Sequence, residues 1–161
     1  RAEMLEQVNT LKQAVAIARI NAVKNRQQVV LGFVGNSLFS DTGGQYRAFI
    51  DADGDEVFDA GEQVLATWNI NQTLEIRLDA TDPPRQLGGA GGERGAVFRP
   101  DGVTLASSST SPVGLGAYRI QDVHGNVIRI QLFSGAGSVN SAMLVPGTAN
   151  TWDTNLRHWS Y

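Results

Sequence analysis

Five carboxylates crowd one short stretch of this chain. Asp51, Asp53, Asp55, Asp59 and Glu62 occupy positions 1, 3, 5, 9 and 12 of a twelve-residue window. Those are the offsets at which a calcium loop wraps hard oxygen ligands around one ion, with position 7 giving a backbone carbonyl. Val57 stands at position 7, and Phe58 at position 8 matches the usual apolar anchor. The pattern is broken at position 6, where the sharp turn demands glycine: it is Glu56, and the glycine comes early as Gly54. The flanking segments also read as strands, not as the paired helices of an EF-hand. The stretch is therefore either a Ca2+ loop or an acidic hairpin loop left to solvent.

Other chemistry finds little support. His124 falls in a hairpin turn and His158 in the C-terminal tail, without motif context. No G-x-S-x-G nucleophile elbow occurs. The run Gly88-Gly89-Ala90-Gly91-Gly92 is no P-loop, because the only lysines, Lys12 and Lys24, lie in the N-terminal segment. Absence of cysteine excludes a disulfide framework, a thiolate zinc site and a Cys nucleophile. A net charge of −3 supplies no basic footprint for non-specific nucleic-acid binding. The chain is expected to be no enzyme. Low charge (18%) with 18 glycines suits an extracytoplasmic, β-rich domain.

The element that must position the rest is the first one. Arg1 to about Gln28 reads as one amphipathic helix, with Met4, Val8, Leu11, Val15, Ala18 and Ala22 spaced alternately by four and three residues. Leu5, Ile17 and Val23 are expected to widen that stripe. No capping residue precedes the pattern and Arg1 is not a start Met, so the helix reads as though cut partway along a longer one. Residues 29–161 are expected to form a β-rich head in one domain with the helix.

Short apolar runs follow. Val29–Val34, Tyr46–Ile50, Val64–Ile70 and Thr73–Leu78 read as strands, and Asp79–Gly95 as a loose loop. Val97–Arg99 and Val103–Leu105 flank the turn Pro100-Asp101-Gly102. Ala117–Val123 and Val127–Phe133 make the clearest hairpin, and Val139–Val145 adds a last strand before a tail holding Trp152 and Trp159. One long helix before many strands is an α+β order.

Ala18-Arg19-Ile20-Asn21-Ala22-Val23-Lys24, leading into Gln28-Val29-Val30-Leu31, resembles the helix end and first strand of the GspH/FimT pseudopilins, with Asn21 in place of the usual Glu. Tyr46–Leu65, which runs into D-x-D-x-D, and Val97-Phe98-Arg99-Pro100-Asp101-Gly102 match further family patterns in the same order. The resemblance implies a type IV pilin-like fold: a long N-terminal helix packed on antiparallel sheet. It implies a minor pilin or pseudopilin, a subunit of a type IV pilus or type II secretion pseudopilus. Its partners would be other pilins or pseudopilins, met through the N-terminal helix. A preceding apolar half-helix would anchor it in the bacterial inner membrane with the head in the periplasm.

Some FimT-like members bind DNA through G-R-x-R near the closing strand. Here the matching place is Gly137-Ser138-Val139-Asn140, with both arginines replaced by neutral residues, so DNA is not an expected partner. The alternative role of the same fold is a DNA- or surface-binding head.

Overall fold

Helix α1 spans Ala2–Asn25 and sinks one face into the molecule: Met4, Gln7, Val8, Leu11, Ala14, Val15, Ala18 and Ala22 are buried. The computed structural model describes residues 2–34, 41–42, 44–71, 73–78, 85–88, 94–105, 116–132, 139–148 and 151–159. The whole stripe expected from the sequence is in that face. Its widening holds for Leu5, which is half-buried, and fails for the other two residues. Ile17 and Val23 are 37% and 53% exposed, and Gln7 and Ala14 occupy the flank instead. At 100° per residue Ile17 and Val23 fall well away from the Met4–Ala22 line, whereas Gln7 and Ala14 lie beside it. The helix also ends before Gln28. Arg26 takes the left-handed conformation (φ 53°), a C-terminal stop usually filled by glycine, and Gln28 already belongs to the first strand.

Two six-stranded sheets form among the described residues. Sheet A runs β4 (Val64–Asn69), β3 (Gln45–Asp51), β1 (Gln28–Val34), β7 (Arg94–Phe98), β6 (Arg85–Gln86), with β8 (Thr104–Leu105) also on β7. Sheet B runs β12 (Trp152–Asp153), β11 (Val139–Leu144), β10 (Val127–Leu132), β9 (Ala117–Gln121), β5 (Glu75–Leu78), β2 (Asp41–Thr42). The described pairings are antiparallel. This is the α+β, type IV pilin-like architecture: an N-terminal helix packed on antiparallel sheets.

The stripe of α1 shares one core with the inner faces of both sheets, including Leu31, Phe33, Tyr46 and Phe98 from A and Ile120, Tyr118, Ile128 and Ile130 from B. Phe33 and Tyr118, with ring centroids 4.2 Å apart, join the two sheets directly. Gln7 ties the helix to sheet A. Its Nε2 donates to the Tyr46 hydroxyl (3.2 Å) and its Oε1 accepts the Asn71 N–H (3.1 Å).

Sheet A is covered on its outer face too, by a second cluster of Val30, Phe49, Leu87 and Val97 with Phe58 and Leu105 against it. Burial on both faces explains why β1 is continuously apolar instead of alternating. The expected loose loop is partly ordered for the same reason. Leu87 is 2% exposed and draws β6 into the sheet. Gly95 on β7 lies opposite Gly32, and a Cβ there would collide with the Leu31 carbonyl. The rest of 79–93 and residues 106–115 lie outside the described residues.

Candidate functional site: the acidic loop and the faces around it

The acidic loop connects β3 to β4 and is hydrogen-bonded mainly to itself. Asp51, the last residue of β3, is 3% exposed. Its Oδ2 accepts from Gln28 Nε2 (2.8 Å) and the Glu56 N–H (2.8 Å), and its Oδ1 from the Gly54 N–H (3.1 Å). Glu62 closes the far end. Its Oε2 accepts the Ala52 N–H and its Oε1 the Asp59 N–H, both at 2.7 Å. The Val57 N–H donates to Asp55 Oδ1 (2.9 Å). The acidic side chains thus satisfy backbone donors that a twelve-residue loop would otherwise leave to water.

Three contacts clamp this loop on the outer face of sheet A. Phe58 meets Phe49 edge to face at 5.2 Å, and the Arg47 guanidinium lies 4.2 Å from the Phe58 ring centroid. Glu56 forms a bidentate pair with Arg85 of β6, Oε1 to Nε and Oε2 to Nη2 at 2.8 Å each. That pair raises the affinity of the Arg85 guanidinium for its proton. Gly88, at φ +71°, makes room for the Val57 side chain, which a Cβ would meet at 2.8 Å. Glu56 itself has φ 67°. Position 6 therefore does take the left-handed turn that a calcium loop places on glycine, with a glutamate bearing the strain.

The carboxylate oxygens of Asp51, Asp53 and Asp55 lie within 4.8 Å of one another, as do those of Asp53, Asp59 and Glu62. Asp53 is common to both groups. The crowding shows in proton affinity. Asp59 is pushed up to about 6, first by its hydrogen bond to Asp53 and then by desolvation and the charges of Asp55, Asp53 and Glu62. Asp53, accepting that bond, is held below the ordinary carboxylate range. Burial raises Asp51. Such a set of hard oxygens suits a divalent cation such as Ca2+. Asp51 and Glu62 would bind it while already holding the loop amides.

The histidines sit away from this loop in sequence and in contacts. His124 is exposed in the β9–β10 turn, where its N–H donates to Asp122 Oδ1 (2.9 Å). His158 Nε2 lies 3.2 Å from Asp153 Oδ2. Trp159 packs against the core, and Trp152 lies on the edge strand β12. Of the place matching G-R-x-R, Gly137 and Ser138 lie outside the described residues, and Val139–Asn140 open β11.

One feature escapes a linear reading. Arg119 stands opposite Arg77 on one side and Arg129 on the other, in three adjacent strands of sheet B. Arg157 does not join them; its Nε pairs with Asp153 Oδ2 at 3.1 Å. The hairpin turn at 122–126 is the signal that fixes Arg119 against Arg129, because turn length sets register.

No helix among the described residues is long and apolar enough to cross a membrane. Neither a curated protein nor a solved structure matches the chain. Residues 7–137 match the family model described as Type II transport protein GspH. The chain therefore belongs to the GspH family, the structural pseudopilins and minor pilins of type II transport.

Proposed function

We propose that this chain is the periplasmic head and lower helix of a pseudopilin, a structural subunit that enters a filament through the side of α1 facing away from its own sheets. The carrying observation is that α1 is apolar on two sides. The Met4–Ala22 stripe is consumed by the head's own core, while Ala16, Ile17, Ile20 and Val23 form a second apolar patch left to solvent, with Ile20 63% exposed. An apolar helix face of this size on an exposed surface marks an interaction site. A leader and an apolar half-helix encoded upstream would anchor the subunit in the inner membrane before assembly.

The test is Ile20→Asp with Val23→Asp in the full-length protein. The variant head should keep the wild-type thermal midpoint, since neither side chain is buried, while cross-linking to neighbouring pseudopilins and secretion are lost. Normal cross-linking and secretion by the double variant would defeat the reading. An upstream coding sequence without a basic leader and about 20 apolar residues would defeat it as well.

A second reading concerns the acidic loop, which we propose as a Ca2+ site built from Asp51, Asp53, Asp55, Asp59 and Glu62 with the Val57 carbonyl. Two carboxylate groups sharing Asp53 support it, as does the crowding of negative charge that pushes Asp59 up to about 6. A DNA-binding head has no such support at the neutral residues replacing G-R-x-R.

A further inference from the structure

We propose that the exposed face of α1 is also a membrane-surface site, which rests on a layer of anionic phospholipid headgroups until the subunit enters a filament. The proposal rests on the reading of the chain as a membrane-anchored subunit and adds a second occupant for the same helix face.

From Lys12 to Arg26 the chain carries four cations, Lys12, Arg19, Lys24 and Arg26, and no carboxylate. All four are exposed, and among the described residues none is held in an ion pair. The carboxylates of α1, Glu3 and Glu6, come before them. The helical cations stand among the exposed apolar side chains. At 100° per residue Lys12 and Arg19 fall within about 40° of Val23, and Lys24 falls between Ile17 and Ile20. A helix face of this make-up seats in a headgroup layer. Its alkyl groups reach the acyl boundary, while ammonium and guanidinium heads on long stems stay at the phosphates.

The charge on the rest of the molecule orients it. With a net charge of −3 the chain as a whole is repelled by an anionic surface. Its carboxylates, however, crowd into the acidic loop, where Asp53 and Asp55 are exposed. That loop packs through Phe58 on the face of sheet A turned away from α1. An anionic surface therefore attracts one side of the molecule and repels the other, and the helix docks first. A nucleic acid would use the cations but would gain nothing from Ile17, Ile20 and Val23. A lipid surface uses both.

The consequence is competition. The face that meets lipid is the face that meets neighbouring subunits, so a subunit joins the filament only by leaving the surface. Until then the apolar patch is covered and kept from premature association.

Flotation of the 161-residue chain with vesicles tests this, in EDTA so that Ca2+ cannot bridge the acidic loop to lipid. The chain should float with vesicles of equal phosphatidylglycerol and phosphatidylcholine at low salt, and stay behind with phosphatidylcholine alone or at high salt. Lys12→Glu/Arg19→Glu should lower the partition coefficient at least about tenfold. If that variant fails to fold by circular dichroism, Lys24→Glu takes its place, with a loss of about fivefold or more. The chain has no cysteine, so Ile20→Cys and Asp55→Cys each carry one environment-sensitive dye. Emission should shift to the blue on anionic vesicles for the dye at position 20 and not for the one at 55. No flotation, equal flotation with neutral vesicles, or a shift at position 55 alone overturns the proposal. Retention of a single-stranded oligonucleotide by a chain that ignores vesicles overturns it in favour of nucleic acid. The pseudopilin reading fails separately, through normal cross-linking and secretion by Ile20→Asp/Val23→Asp in the full-length protein. A chain that ignores vesicles while that variant loses both keeps the filament role and loses only the membrane site.

Discussion

Glu56 and Arg85, 29 residues apart in sequence, meet through two parallel 2.8 Å bonds, and this pair fastens the acidic loop to the edge of sheet A. Both side chains are largely buried, at 17% and 21% exposure. Glu56 holds this contact while its backbone sits at φ 67°. Glu56→Ala removes the pair and keeps the strain, at an expected cost of about 1–2 kcal/mol, between the surface and buried limits for ion pairs. Glu56→Gly removes both, so it should be more stable than Glu56→Ala by about 1 kcal/mol. Urea unfolding of the two variants measures the difference; equal midpoints would mean the turn is unstrained.

The proton on Asp59 gives the loop a pH signature. Its folded value of about 6 lies above the ordinary 3.8, so its contribution is full at low pH and is lost as pH rises through 6. Asp59→Asn keeps a donor facing Asp53 at every pH. Between pH 4.5 and 7.5 the wild-type thermal midpoint should fall relative to that of Asp59→Asn. Parallel curves for the two proteins would remove Asp59 as the source.

Calcium should act in the opposite direction. Above pH 6 Asp59 has lost its proton, and a bound cation stabilises the folded state by mass action. Added Ca2+ should raise the wild-type midpoint at pH 7.5 and leave Asp53→Asn unmoved, since Asp53 serves both groups. No calorimetric heat and no response to chelator would leave the loop a self-capped acidic turn.

Tyr118 bears on the core. It is fully buried between the sheets, and its hydroxyl has no hydrogen-bond partner among the described residues. Burial accordingly pushes its proton affinity far up. An unsatisfied buried hydroxyl costs about 1–3 kcal/mol. Tyr118→Phe keeps the 4.2 Å ring contact with Phe33 and should raise stability by about 1 kcal/mol by that argument. A loss of stability in guanidinium unfolding would reveal a partner for the hydroxyl.

The helix, most strands and the order of elements were legible because they are local. The Met4–Ala22 spacing, the alternation of Leu74, Ile76 and Leu78, and the turn Pro100-Asp101-Gly102 each fix backbone conformation through near neighbours. The stop at Asn25 was not legible, since Arg26 is a poor choice for the left-handed residue that ends α1. Nor was β6, because two residues, Arg85–Gln86, make no pattern without Leu87 finding its cluster.

For the loop, sequence alone determined which carboxylates stand at which offsets. Only the tertiary structure decided that Glu56 faces Arg85 and that Asp53 is common to both carboxylate groups. It alone placed Arg77, Arg119 and Arg129 in one row. Periodicity along a chain says which face a side chain takes; which strands become neighbours, and in what register, depends on contacts distant in sequence, and those set the charges that meet.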